Sequence, residues 1–426
     1  MAGDKGLYRR RLSGKIIALV AVFGLAVLPG NISVAESKPG GKVRFCSTLR
    51  TMARVYMAYG DYAKAQPLVE QALTIVRTTD ASDTELSLCL LDLAYVYNKQ
   101  ARFYEAEEMC EMGLKLQEKV YYKEHPYVAY TLRIMGSIYQ GEGRYQDARD
   151  VLDQAMAIML KSHKPQDYVI AGFQVDIADV LVVQGDFQNA ESYYQEALDL
   201  IKTGYGPQHL YTANVLGHVA RLYVIQGRYD EAEELINTTG QAQGKIYGPE
   251  HHLLVPTWMT MAAISKANED YDRAEELLHK ALLAVEKQGG AEHPLAGRIL
   301  SSLGELYIAT EDYVQAENFC RRALEVLEGS VGPDNDYTAV ALNDLASAYM
   351  YQGKFSEAQN LCGRALDILE NFFDGSHPNI GQVLKTRAEL YRLAGDSAEV
   401  AKLTQRIEEI AFDRQIAQAS VVKRIE

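Results

Sequence analysis

The chain has 426 residues, 48% of them hydrophobic and 23% charged, with a formal net charge of −14. That balance suits a chain with a substantial core, and its acidity repels phosphate backbones, which argues against nucleic acid as a partner. The five cysteines are an odd number with no CxxC pair, so they form no dense disulfide or zinc framework.

Residues 1–35 differ from the rest. Arg9, Arg10, Arg11 and Lys15 form a basic head, an apolar run extends from Ile16 to Leu28, and Ser33-Val34-Ala35 offers small residues for a cut. This is the layout of a secretory signal peptide. As a helix the run would span about 20 Å at ~1.5 Å per residue, short of a ~30 Å hydrocarbon core. Cleavage after Ala35 is expected, giving an exported (periplasmic or secreted) chain. The alternative is a membrane tether through an uncleaved N-terminal segment. Cleavage would remove five basic residues and Asp4, taking the charge from −14 to −18. No later segment is long and apolar enough to span a bilayer, and residues 36–45 read as a short linker.

From residue 46 onward a 42-residue period governs the chain. His125, His209, His251, His293 and His377 lie on one lattice, whose remaining points hold Asp167 and Asn335. Phe103, Tyr145, Phe187, Tyr229, Tyr271, Tyr313 and Phe355 recur at the same step, each followed three residues later by alanine. Such a period signals a repeat architecture. Within a unit, Leu90, Leu93, Ala94 and Tyr97 mark one face of a first helix, and Ala106, Cys110, Gly113 and Leu114 one face of a second. Gly143, Gly185, Gly227 and Gly353 occupy the turn between them, where a left-handed backbone favours glycine. Ala94, Gly136, Ala178, Ala220, Ala262, Gly304, Ala346 and Ala388 keep one lattice position small, as a close helix crossing requires.

The spacing predicts all-α units starting near 46, 87, 129, 171, 213, 255, 297, 339 and 381. Together they form a solenoid over 46–412, with a capping helix over 413–426. In "EHPYVAY", "EHPLAGR" and "SHPNIGQ" proline opens the next first helix, where its missing N–H is not needed. The histidine before it is expected to cap backbone amides or to pack against the preceding helix. Equivalent histidines should stand about 10 Å apart, given helix spacings of 8–10 Å, too far for a shared metal ion. Metal and cofactor sites are therefore not expected. Cys110, Cys320 and Cys362 share a core position, and Cys46 and Cys89 head adjacent first helices, where a bridge remains open. "LINTTGQAQGK" places Gly240 and Gly244 in a second helix, and a bend is expected near 238–256. Ser397 and Val400 stand where aromatic and alanine belong, marking a degenerate last unit of the kind that caps solenoids.

The unit "HVARLYVIQGRYDEAEEL", with "LNDLASAYMYQGKFSEAQNLCGRALDILE", resembles the tetratricopeptide repeat in its 42-residue, kinesin-light-chain-like variety. The resemblance covers about 46–412. It implies a right-handed superhelix of stacked antiparallel helix pairs whose concave groove holds a protein or peptide segment. A carboxylate clamp of Lys and Asn is absent: the corresponding pairs are Arg133/Ser137, Arg221 with Gly217, and Lys385/Glu389.

No phosphate loop, HExxH or GxSxG motif is present, and the repeating acidic residues read as solvated helix faces. The expectation is therefore a non-catalytic scaffold. Its groove positions are Arg133, Val175, Asp179, Val182, Arg221, Val224, Met259, Asn343, Lys385 and Arg392, apolar in the middle and polar at the flanks. The alternative for the valines is packing between neighbouring first helices. Self-association through terminal faces and an enzyme with an unrecognised groove site are the competing functions.

Overall fold

The computed structural model describes residues 39–410 except 80–81, 164–166 and 374–376. All regular elements among the described residues are helices. In chain order they are α1 (Pro39–Ala58), α2 (Tyr62–Thr78), α3 (Asp83–Lys99), α4 (Phe103–Val120), α5 (Pro126–Gly141), α6 (Tyr145–Ser162), α7 (Tyr168–Val183), α8 (Phe187–Tyr205) and α9 (Leu210–Ile225). Then follow α10 (Tyr229–Tyr247), α11 (Val255–Ala267), α12 (Tyr271–Gly289), α13 (Pro294–Ala309), α14 (Tyr313–Ser330), α15 (Asp336–Tyr351), α16 (Phe355–Phe372), α17 (Pro378–Ala394) and α18 (397–410). Odd-numbered helices are the first of each pair and even-numbered helices the second, giving nine units. α1 begins at Pro39, inside the segment read as linker. The proposed signal peptide and the capping helix over 413–426 lie outside the described residues.

The lattice residues explain where each helix starts. The recurring aromatic is the first residue of α4, α6, α8, α10, α12, α14 and α16. The lattice histidines cap helix starts: His125, His209, His293 and His377 cap first helices and His251 caps the 3-10 turn before α11, each accepting through Nδ1 from the amide two residues on. Asp167 and Asn335 make the same cap through a side-chain oxygen, so the two exceptions preserve the chemistry. Pro126, Pro294 and Pro378 open their helices as expected.

The turns adopt positive φ at Gly143, Gly185, Gly227 and Gly353, but also at Ala101, Glu269 and Glu311. At a close crossing, a Cβ on Gly304 would lie 2.2 Å from Cys320 Sγ, and one on Gly136 would lie 2.7 Å from Leu152. All five cysteines are buried thiols; Cys46 and Cys89 stand 3.8 Å apart, in contact and unbridged. Within the span 238–256, where a bend is expected, the irregularity falls at the far end and not at Gly240 and Gly244. α10 runs unbroken to Tyr247, with Thr239 donating to the Ala213 carbonyl at 2.8 Å. The irregularity is a 3-10 turn at His252–Leu254, which shortens α11, while Trp258 on α11 is buried.

Successive first helices pack against each other more closely than successive second helices do, so the odd helices line the inner wall. The stack curves far enough for one superhelical turn to touch the next. The α1–α2 turn meets the loop before unit six, where a Cβ on Gly60 would lie 2.0 Å from His252 Nε2 and the Tyr59 and His251 rings lie 6.2 Å apart; Gln288, at the end of α12, also donates through Nε2 to the Gly60 carbonyl at 2.5 Å. The α3–α4 turn meets unit seven, with His293 Nε2 and the Lys99 carbonyl 3.2 Å apart. The α5–α6 turn meets unit eight. Tyr145 donates its hydroxyl to Asp336 at 2.8 Å and stacks on Phe373 at 5.6 Å. The α7–α8 turn meets unit nine, where His377 Nε2 donates to the Val183 carbonyl. The rule is constant: the turn of unit n meets the cap loop of unit n + 5. In His293 and His377, Nδ1 accepts from the residue's own helix, so the proton resides on Nε2 and points across this seam.

Candidate functional site: the inner wall of the superhelix

Ion pairs tie several first helices to the next at spacings near the repeat length. Arg50 and Arg54 converge on Asp92, at 2.7 and 3.0 Å. Arg133 pairs with Asp176, with Nη2 to Oδ1 at 3.2 Å, while its guanidinium lies 5.3 Å above the Phe173 ring. Lys266 pairs with Glu305 further along.

Asp179 on α7 is the best-connected residue of the wall. It accepts from Tyr194 Oη at 2.5 Å and Arg221 Nη2 at 2.6 Å, and lies 2.8 Å from His218 Nδ1. Burial would raise its carboxyl, but the charges of His218 and Arg221, with hydrogen bonds from His218 and Tyr194, hold it well below the usual carboxylate range. Lys99 is exposed at the end of α3, yet the wall around it removes enough water to lower its pKa. Arg133 adds to that effect, and Asp176 and Asp179 oppose it. Lys99, Arg133, Asp176, Asp179, His218 and Arg221 thus form a charged band across units two to five. A second polar group lies on units six to eight. Burial, then the neighbouring Glu305, pushes the Asp344 carboxyl well above the usual range, against the pull of Ser301 and Lys266. Asn343 Oδ1 beside it is buried without a hydrogen bond.

The groove expectation is redrawn by this geometry. Asp179 and Arg221 meet, and Arg133 belongs to the same band. Val175 and Val182 are buried in the core shared by units two to five, so the expected exposed apolar stripe gives way to packing between helices. Val224 and Met259 are partly buried against the cores of their own units. Asn343 is buried, whereas Lys385 and Arg392 are exposed on α17, Arg392 pairing with Glu389 at 2.6 Å. Asp176, His218 and Lys99 were not among the expected site residues. A signal existed for two of them: Arg50, Asp92, Asp176, His218 and Asp344 occupy one lattice position next to core leucines, where charge has no packing role.

Among the described residues no helix is long and apolar enough to cross a membrane. No cluster of three potential metal ligands occurs among them either.

Stacked helical hairpins with an inner wall of ordered charges define a repeat solenoid built around a concave surface. A tetratricopeptide repeat family model matches residues 86–161, 170–239, 253–329, 301–361 and 337–411, more than half of the chain. The chain belongs to the tetratricopeptide repeat family. It is similar to a Rap protein whose structure was solved in complex with competence and sporulation factor. Identity is 15% and the TM-score 0.65, over 87% of this chain and 98% of that chain. It is also similar to a putative kinesin light chain from Podosopora anserina with nearly identical TPR-like repeats, at 24% identity and TM-score 0.38, covering 49% of this chain and 98% of that one. BtubC (BKLC) from P. vanneervenii gives 18% identity and TM-score 0.39, over 57% of this chain and 92% of that chain. At these identities the likeness concerns the fold alone. No curated protein sequence matches the chain.

Proposed function

We propose that the protein is an exported, non-catalytic scaffold that holds an extended segment of a partner protein against its inner wall. The carrying observation is the charged band. Arg133 and Arg221 are fixed by ion pairs to Asp176 and Asp179, yet their side chains remain 37% and 40% exposed. A fixed guanidinium keeps N–H groups beyond those used by its carboxylate, and these suit the carbonyls of an extended chain. Because the ion pairs form before the partner arrives, little side-chain entropy is lost on capture. Rap, similar in fold, was solved in complex with competence and sporulation factor, and that supports a binding role. The band's carboxylates are engaged by Arg and His partners, which suits recognition better than proton transfer.

The test is affinity capture from the native host with the wild type and with an Arg133→Ala/Arg221→Ala variant. Losing charged hydrogen bonds worth about 1.5–3 kcal/mol each should weaken capture by at least tenfold, with helical circular dichroism retained. Undiminished capture by a folded variant would remove the inner-wall reading. The protein recovered from the host should begin at Glu36; a chain still starting at Met1 would remove cleavage and leave the membrane tether as the route of export.

A further inference from the structure

The core of units one and two holds two thiols beside a buried cation. Cys46 on α1 and Cys89 on α3 are fully buried, lie 43 residues apart in sequence and bring their sulfurs to 3.8 Å. The Cys46 thiol faces the Ala72 carbonyl at 3.6 Å, which leaves the Cys89 thiol to donate across the gap. Arg50 lies one helical turn beyond Cys46 on the same face of α1. Its Nε binds Asp92 at 2.7 Å, but Nη2 is buried without a hydrogen bond, and Glu85 Oε2 stands 3.9 Å from Nη1. A cation with a spare donor therefore sits by the two touching thiols, and its charge favours the ionised form of both. The hydrogen bond between them divides their roles. Donation from Cys89 holds the Cys46 thiol below its ordinary range, against burial and the charges of Glu85 and Asp92, and the same bond pushes Cys89 up. Cys110, Cys320 and Cys362 lie in the cores of units two, seven and eight, and burial pushes each of those thiols up.

We propose that Cys46 and Cys89 form a reversible thiol–disulfide site, oxidised by a low-molecular-weight disulfide, with Cys46 as the attacking sulfur and Cys89 as the resolving one. The Cys46 thiolate attacks one sulfur of the small disulfide, forming a mixed disulfide and releasing one small thiolate. The Cys89 thiolate then attacks Cys46 Sγ, closing the Cys46–Cys89 bond and releasing the second. The two small thiolates take up the two protons that the cysteines lose, so the small disulfide is reduced to two thiols as the pair is oxidised. Bonded sulfurs stand about 2 Å apart, and rotation of two unbranched side chains brings these sulfurs together from 3.8 Å. Entry of the small disulfide requires α1 to open. α1 is the first helix of the stack, and end units open more readily than interior ones. Exchange therefore runs at the rate of that opening, and an exposed thiol reacts much faster than this pair. The product ties α1 to α3, and with them the α1–α2 turn that makes the first seam contact.

The test incubates the full chain, first reduced with dithiothreitol, with oxidised glutathione. Remaining thiols are then blocked with N-ethylmaleimide under denaturing conditions and mapped by peptide mass spectrometry. The wild type should lose two hydrogens and yield a peptide pair linked through Cys46 and Cys89, with Cys110, Cys320 and Cys362 carrying the maleimide. Dithiothreitol should reverse the link. Amide hydrogen exchange in α1 should slow by at least about tenfold on oxidation, since a cross-link removes open states of the loop it closes. Cys89→Ser should stop at a glutathione adduct on Cys46. Cys46→Ser should gain an adduct on Cys89 at least about tenfold more slowly, for want of the favoured thiolate. Both variants should keep the wild-type circular dichroism. The proposal is overturned if the wild type oxidises at Cys46 and Cys89 no faster than at Cys110, or if a mixed disulfide forms and never closes. A faster adduct in Cys46→Ser than in Cys89→Ser would overturn the assignment of the attacking sulfur.

Discussion

At the scale of single residues, small side chains at helix crossings do more than lower the helix propensity of the chain. Replacing glycine by alanine inside a helix ordinarily gains up to about 1 kcal/mol. At Gly363 on α16 nothing lies within 4 Å of a new Cβ, so Gly363→Ala should stabilise by about 0.5–1 kcal/mol. At Gly304 the new Cβ would lie 2.2 Å from Cys320 Sγ and 3.5 Å from the Cys320 amide nitrogen. Overpacking there should win, and Gly304→Ala should destabilise by about 1–3 kcal/mol. Combining it with Cys320→Ala should recover part of the loss. Urea denaturation reads both signs, and equal effects at the two glycines would contradict the close crossing. Gly304 was legible in the sequence, because its lattice position is always Ala or Gly. The fate of Val175 and Val182 was not. Repeat spacing sets which way a side chain leaves its helix, but the packing of the neighbouring unit decides whether that direction ends in solvent.

At the scale of helices, turns and loops, the lattice histidines have two functions, one local and one distant. Their capping role follows from sequence, since a polar residue before Pro at a helix start has amides to satisfy. Contacts reaching nearly two hundred residues along the chain depend on the accumulated curvature of five units, which no single repeat encodes. The first seam contact also carries a pH dependence. Burial lowers the His252 pKa from 6.5 to about 4; His251 adds to the shift and Asp61 opposes it. The folded state therefore favours neutral His252. Its stabilisation is complete above 6.5 and is lost as pH falls from there toward about 4. Solvent reaches part of the ring, so the loss should be about 2 kcal/mol, below the full conversion of the shift. His252→Gln should flatten the stability profile over this window and leave neutral-pH stability nearly unchanged. Parallel profiles for variant and wild type would place His252 outside the seam's energetics.

At the scale of the whole molecule, the nine hairpins form more than an open crescent. Their period, all-helical content and degenerate last unit follow from the lattice. The charged inner band was only half visible, because its acidic and basic members lie on different units and pair through the stack. A coil with touching turns encloses that band, so its enclosure rests on the accumulated curvature. Double electron–electron resonance tests this most directly, with labels at Gln146→Cys beside the α5–α6 turn and at Asp334→Cys beside the start of α15. The five native thiols are buried and leave these positions to the label. Tyr145 and Asp336 are in contact 191 residues apart in sequence. The touching-turn coil predicts one narrow, short distance, whereas a broad or long distribution would mean that the turns stand apart and the inner wall is open.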